Sequence, residues 1–324
     1  MKKNKVLIIR FSSFGDIVQC MSTLGVIKSQ LGGDIHWVAR SDMSSILSLS
    51  PNVDKIWSFE KKAGFSGLIR LAFTLRKENF THIYDAHSNL RSRILCLFLN
   101  GQYFVRRGKD RLKRIMLFSF RKNLFDWPFK GMLSYLAPLK SWGLEKLGSV
   151  EIQKWNFEAV QLPIEFNKDS IVLVPAAAWD MKRWPLNHWK ELIRINPSLN
   201  FSILGGPSDT FCQELEDIDP LRVKNLAGKL SLIESCKIIS LSRFVISADT
   251  GLIHVADILG VKGLSIIGPT AFGFATGKHI KTMEVDLPCR PCTKDGRGKC
   301  SQEVWQKCLV DITPFMISNQ IPKN

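Results

Sequence analysis

Short, largely apolar runs separated by longer amphipathic stretches constrain this chain more than any other feature. Val6–Arg10 reads as a buried strand, followed by a Ser/Gly loop and a helix from about Ile17 to Gln30. Asp34–Val38 and Thr81–Tyr84 are further strand candidates. After Pro163 the theme restarts, with Ile171–Val174, Phe201–Leu204, Phe244–Ser247 and Gly263–Ile267 as strands. A strand that is apolar on both faces needs cover on both sides, and alternation with helices provides it in a parallel α/β sheet. Two such series, divided near Gln161–Lys168, predict two Rossmann-like halves with a cleft between them. The expected domains are 1–162 and 163–324.

Composition removes several alternatives. At 45% hydrophobic over 324 residues the chain is too apolar to remain disordered. The longest apolar stretch, near Ile171–Trp179, falls short of the ~18–20 residues of a membrane span. The start is basic (Lys2, Lys3, Lys5), but Arg10 interrupts its apolar run after Val6–Ile9, too early for the ~7–15-residue core of a signal peptide. A cytoplasmic location with reduced cysteines is therefore expected.

The net charge of +16 is unevenly distributed. Residues 1–162 carry 26 Lys and Arg against 12 Asp and Glu, whereas residues 163–324 carry 19 against 17. Arg106–Lys122 alone holds eight basic residues and one acid, Asp110. This is either a solvated helix face or a surface for a polyanion such as nucleic acid, anionic lipid or a phosphorylated glycolipid. The interleaved Leu112, Ile115, Met116, Leu117, Phe118 and Phe120 suit a bilayer interface or a buried core equally well.

Four motifs carry candidate chemistry. Phe11–Asp16 (FSSFGD) follows the first strand and opens a helix; Gly15 is the residue there able to take φ > 0. Asp16 would stand at a strand's carboxyl end, where α/β sheets place ligands, or would simply cap the helix. The loop lacks the dinucleotide fingerprint. Ser247–His254 (SADTGLIH) also runs from strand into helix, and Thr250 and Gly251 form a natural phosphate seat. Gly268–Thr270 makes a tight turn expected on the same edge. Trp179–Pro185 (WDMKRWP) places Lys182 and Arg183 where they can neutralise a diphosphate. Cys289, Cys292, Cys300 and Cys308 form a C-x2-C opening followed by two more thiols. That pattern is compatible with zinc, although thiols tethering a loop are the favoured reading and no metal is assigned.

In combination these residues resemble the lipopolysaccharide heptosyltransferases, a family of inverting glycosyltransferases. The resemblance runs in family order through Val6–Gln19, Tyr84–Ser92, Lys182–Pro185, Leu204–Pro207, Asn225–Lys229, Asp249–His254 and Gly268–Thr270, and on to the late cysteines. It implies a GT-B fold, two facing Rossmann-like domains with a central cleft, and the last residues are candidates to pack back on the N-terminal domain. The implied donor is ADP-heptose, held by Lys182, Asp249, Thr250, Gly251, Leu252 and His254. Asp209 stands where members carry a nucleoside-binding Glu. The implied acceptor is a lipid-linked core oligosaccharide on the N-terminal domain, with Asp16 as general base. Ser12, Ser13, Arg106, Arg107, Lys113 and Arg114 would face the acceptor or an anionic membrane, which makes the expected location peripheral on the inner face of the inner membrane. One departure is Pro175–Ala178 (PAAA), where members often read Pro-Gly-Ala, so donor contacts in that loop are expected to differ.

The resemblance implies a single displacement with inversion. Asp16 accepts the acceptor proton, while Lys182 and the helix start at Thr250–Gly251 stabilise the departing diphosphate. No Asp-x-Asp pair is present, and neither metal nor cofactor is expected. The competing classes are a GT-B enzyme using another nucleotide sugar and a non-enzymatic polyanion-binding protein. No zinc finger, RNP motif or helix-turn-helix supports a nucleic-acid partner.

Overall fold

The computed structural model describes residues 3–322, and Lys2 of the basic start lies outside them. The chain divides into two compact units. The first runs to Asp110 and resumes over Met132–Phe157; the second comprises Arg111–Gly131 and everything from Glu158. The division after Phe157 comes slightly earlier than the expected 162/163. More consequentially, Arg111–Gly131 belongs with the second unit.

In the first unit, β1 (Lys5–Ile9), β2 (Asp34–Arg40), β3 (Lys55–Phe59), β4 (His82–Asp85) and β5 (Tyr103–Arg106) form a parallel sheet of order β3-β2-β1-β4-β5. Its helices are α1 (Phe14–Met21), α2 (Thr23–Gln30), α3 (Ser44–Leu47), α4 (Gly64–Arg76) and α5 (Leu90–Leu97). The single helix expected over Ile17–Gln30 is broken at Ser22. There the Ser22 and Thr23 hydroxyls donate to the carbonyls of Gln19 and Cys20 at 2.6 and 2.8 Å, the back-bonding that bends helices. Leu68, Ala72 and Leu75 of α4 and Leu95 of α5 share one core with Leu7, Ile9, Val38 and Ile83 of the sheet, so α4 and α5 cover the same sheet face.

Helix α6 (Arg111–Phe120) goes with the second unit, and α7 (Gly131–Leu136) opens the return to the first. The second sheet is parallel too: β6 (Ile171–Val174), β7 (Phe201–Ile203), β8 (Val223–Asn225), β9 (Phe244–Ala248), β10 (Gly263–Ile266) and β11 (Ile280–Met283), in the order β11-β10-β9-β6-β7-β8. Helices α8 (Leu186–Arg194), α9 (Gln213–Glu216), α10 (Leu232–Leu241), α11 (Gly251–Ile258), α12 (Lys307–Val310) and α13 (Pro314–Ser318) complete it. The last described residues pack within the second unit. Helix α13 packs on α8, Ile312, Ile317 and Ile321 join the core of the second unit, and the Trp184 indole donates to the Ile312 carbonyl at 2.8 Å.

Each strand order reverses once, between β1 and β4 in the first sheet and between β6 and β9 in the second. At such a reversal the loops leaving the two strands diverge to opposite faces and open a crevice at their carboxyl ends, where ligands bind. The loops at these two positions hold Asp16 and His87 in one unit, and Lys182 and Asp249 in the other.

Candidate active site

Asp16 lies in the first turn of α1. The chain enters that helix through Ser13, whose φ is +75°. The left-handed backbone expected of Gly15 thus falls on Ser13, while Gly15 is helical. L-residues hold such a conformation only where surrounding structure enforces it, at a cost of about 1–3 kcal/mol. Here it turns the backbone so that the Asp16 carboxylate meets Arg10 and Tyr135.

The carboxylate pairs with the Arg10 guanidinium and accepts from the Tyr135 hydroxyl at 2.9 Å. Tyr135 is itself fixed: the Tyr84 hydroxyl donates to its carbonyl at 2.8 Å, and the Arg107 guanidinium stacks 4.0 Å over its ring. Arg107 in turn donates to Ser134 Oγ at 2.6 Å. Desolvation disfavours the Asp16 charge, but Arg10, Arg107 and the Tyr135 and Ser13 hydroxyls outweigh it and hold the carboxyl below its ordinary value. Its side chain still keeps 38% of its surface exposed. An ionised, reachable carboxylate is what a general base requires. Because its pKa falls on folding, Asp16 contributes stability that is complete above the ordinary carboxylate range and is lost as pH drops through the lower folded value. Tyr135→Phe should move the Asp16 midpoint upward, read from the carboxyl-carbon chemical shift during acid titration. An unchanged midpoint would show that the hydroxyl does not stabilise the carboxylate.

His87 follows β4 at the same reversal. Its Nδ1 accepts from the Phe11 N–H at 3.1 Å, which places the proton of the neutral ring on Nε2. Burial, with help from Arg10 and Lys109, lowers its pKa to about 4, so the ring is a neutral donor at physiological pH. Arg106 binds the buried Asp85 at 2.7 Å and lies 5.0 Å over Phe104. Arg106 and Arg107 are therefore turned into the first unit. Lys113 and Arg114 belong to the second, stacking over Phe125 and Phe272 at 5.6 and 4.2 Å. Ser12 is half-buried and Ser13 exposed.

In the second unit, Lys182 Nζ lies 3.1 Å from Asp249 Oδ2, which also accepts from the Thr270 hydroxyl at 2.6 Å. The Lys182 loop, the Asp249 strand end and the Gly268–Thr270 turn thus converge. Gly273 closes over this carboxylate, and a Cβ there would overlap it. Thr250 caps α11, its Oγ1 accepting from the Leu252 N–H at 3.2 Å, while its own O–H remains able to donate. Gly251 opens the helix. His254 is buried one turn along, and three residues further the buried Asp257 accepts from the Thr276 and Gly277 N–H groups at 2.6 and 2.9 Å. Burial, the dominant influence, raises the Asp257 pKa despite those bonds.

Asp209 accepts from the Gly206 N–H at 2.7 Å, closing its own turn, and lies 3.8 Å from Arg183. Arg183 also binds Asp180 at 3.0 Å and donates to the Ala177 carbonyl at 3.1 Å. None of Ala176, Ala177 and Ala178 has a positive φ, so alanine replaces glycine in this loop without backbone conflict. The late cysteine loop reaches the same place, because Gly296, at φ +93°, packs on the Lys182 stem. All four thiols are free, Cys308 buried and the others half-buried. Among the described residues no three His, Cys, Asp or Glu side chains are arranged to hold a metal ion.

Arg10, Tyr135, His87, Thr270 and Gly273 were not singled out from sequence as site residues. His87 and Thr270 lay inside motifs already noted. Tyr135, 119 residues from its partner Asp16, carries no local signal.

The model of glycosyltransferase family 9 (heptosyltransferase) matches residues 68–305. Lipopolysaccharide heptosyltransferase 1 of Escherichia coli K12 is 25% identical over 313 residues, covering 88% of this chain and 94% of its own. The lipopolysaccharide core heptosyltransferase OpsX of Haemophilus influenzae is 22% identical over 282 residues, covering 82% and 78%. Among solved structures, E. coli ADP-heptose lipopolysaccharide heptosyltransferase II superposes with a TM-score of 0.74 at 19% identity over 97% of this chain and 96% of that one. E. coli heptosyltransferase WaaC with ADP gives 0.65 at 22% identity over 86% and 92%. Two parallel α/β units of this kind form the GT-B fold, and the chain belongs to glycosyltransferase family 9, the heptosyltransferases.

Proposed function

We propose that this enzyme transfers a heptose from ADP-heptose to the lipid-linked core oligosaccharide of lipopolysaccharide, with inversion at the anomeric carbon. The observation that carries the reading is Asp16, ionised yet accessible at the β1–β4 reversal. A family relative, the E. coli enzyme WaaC, was solved with ADP and with ADP-2-deoxy-2-fluoro heptose, which supports the donor assignment.

Each unit supplies half of the chemistry. In the first, Asp16 takes the proton of the attacking hydroxyl while Arg10 and Tyr135 hold the carboxylate in place. Ser12 and Ser13 border the place of the anionic acceptor, Arg107 adds positive charge beside Asp16, and His87 offers Nε2–H to an acceptor oxygen. In the second, Lys182 and the start of α11 at Thr250 and Gly251 stabilise the charge that grows on the departing diphosphate. Asp249 orients Lys182, Leu252 and His254 complete the donor seat, and Asp209 and Arg183 border it.

No helix among the described residues is long and apolar enough to cross a membrane. A lipid-linked substrate nevertheless calls for an enzyme that works at a membrane surface, peripherally and on the cytoplasmic face. The reading is tested by incubating the enzyme with ADP-heptose and truncated lipopolysaccharide acceptors and recording mass. A gain of one heptose with ADP release is expected. Release of a nucleotide diphosphate only with a different sugar donor would replace heptose as the substrate.

A further inference from the structure

The basic stretch 106–122 is the obvious docking surface by sequence, yet much of its charge is used internally. Arg106 holds Asp85, Arg107 holds Ser134 and Tyr135, and the Arg121 guanidinium donates to the Pro291 carbonyl at 3.2 Å. A different face of the first unit carries basic side chains that form no ion pair among the described residues. Helices α4 and α5 contain four arginines and no acid, and Lys61 and Lys62 precede α4 while Lys77 follows it. Arg70, Arg93, Lys61, Lys62 and Lys77 are exposed, and none of their side chains has an ion pair or hydrogen bond among the described residues.

The apolar residues on this face are as unusual as its charge. The inner sides of both helices are spent on the core through Leu68, Ala72, Leu75 and Leu95. The outer sides nevertheless expose Phe65 by 66%, Phe73 by 50%, Leu90 by 73% and Leu97 by 82%. Leu90 and Leu97 are seven residues apart, so they lie on one side of α5 with Arg93 between them. Phe73 reaches toward α5, its ring 5.5 Å from that of Phe98. Large apolar side chains interleaved with unpaired arginines on adjacent helices match an anionic bilayer surface, where the apolar tips enter the headgroup boundary and the cations meet lipid phosphates. Helix α5 begins three residues after His87, so its leading end adjoins the loop that approaches Asp16.

We infer that the outer face of α4 and α5 is the membrane-docking surface of this enzyme, and that its occupant is anionic phospholipid. The inference rests on the functional reading above, because a lipid-linked acceptor is what gives such docking its purpose.

Flotation of the full-length enzyme with vesicles of phosphatidylcholine and phosphatidylglycerol (7:3), without acceptor, tests it directly. Phe73→Ser with Leu97→Ser, and separately Arg70→Gln with Arg93→Gln, should each weaken vesicle binding by about tenfold or more. Transfer to a soluble, delipidated core acceptor should stay within about twofold of wild type, which also shows that the variants fold. Wild-type binding should fall steeply with salt and vanish on pure phosphatidylcholine. Undiminished vesicle binding by both double variants would overturn the inference. So would a concentration-dependent dimer of the wild type that these substitutions dissolve, since the face would then cover a second copy of the chain. Should the wild type bind vesicles through this face yet transfer no heptose to any acceptor, the docking surface stands and the functional reading falls.

Discussion

Asp16→Asn should reduce heptose transfer by about 10²–10⁴-fold, the usual contribution of a positioned general base, while leaving ADP and donor affinity unchanged. The separation follows from the architecture. Asp16 belongs to the first unit and its contacts are Arg10, Tyr135 and Ser13, none of them on the donor loops of the second. Asparagine keeps the size of the side chain and can still accept from the Tyr135 hydroxyl, so the loss is confined to the charge and the proton-accepting oxygen. Single-turnover transfer measured beside calorimetric ADP titration separates the two quantities. Wild-type turnover in the variant would remove Asp16 from the mechanism, and a parallel loss of ADP affinity would mean that the substitution disturbs more than the base.

Lys182→Ala should act on the other half of the reaction. Stabilisation of charge developing on a leaving group typically accounts for about 10²–10³ in rate for one well-placed donor, or about 3–4 kcal/mol, and a loss of that size in kcat/KM for the donor is expected, with weaker ADP binding. A second consequence is structural. Asp249 is buried and would keep Thr270 as its hydrogen-bond donor after losing its cation, an arrangement that destabilises a buried carboxylate. The variant should therefore also melt at a lower temperature, and added ADP should rescue it less than wild type. Gly273→Ala offers an independent approach to the same carboxylate. Its methyl group would overlap the Asp249 side chain and displace it from Lys182, so it should reproduce the donor defect with Lys182 intact. Full donor affinity in both variants would rule out the Lys182–Asp249 pair as part of the donor site.

The strands recognisable in the sequence are those in the interior of each sheet: β1, β2 and β4 in the first, and β6, β7, β9 and β10 in the second. The four not recognised, β3, β5, β8 and β11, are the four sheet edges. Interior strands are covered on both faces and read as continuous apolar runs. Edge strands are partly wet, so KIWSF, YFVR, VKN and IKTM mix polar and apolar residues and fall below that signal. The loops around Lys182 and Asp249 were similarly legible, because the Lys182–Asp249–Thr270 contacts join residues inside short motifs at strand ends, whereas Gly273 and Gly296, which pack on them, lie outside those motifs. Asp16 was legible as a candidate base, but its contact with the Tyr135 hydroxyl was not.

By itself, then, the sequence determined two parallel α/β sheets and the loops that leave their central strands, since burial on two faces and the turn into a helix are written in neighbouring residues. Tertiary structure alone decided what the charges meet. The basic run from Arg106 to Lys122 looks uniform along the chain, but folding divides it after Asp110. It turns Arg106 and Arg107 toward Asp85 and Tyr135 and assigns Arg111 onward to the other unit. Meanwhile Arg70 and Arg93, unremarkable in sequence, come to lie on adjacent helices beside exposed Phe73 and Leu97, without an ion pair among the described residues. An ion pair or an unpaired cation depends on which residues meet across a fold, and charges brought together by sheet order have no local trace in the chain.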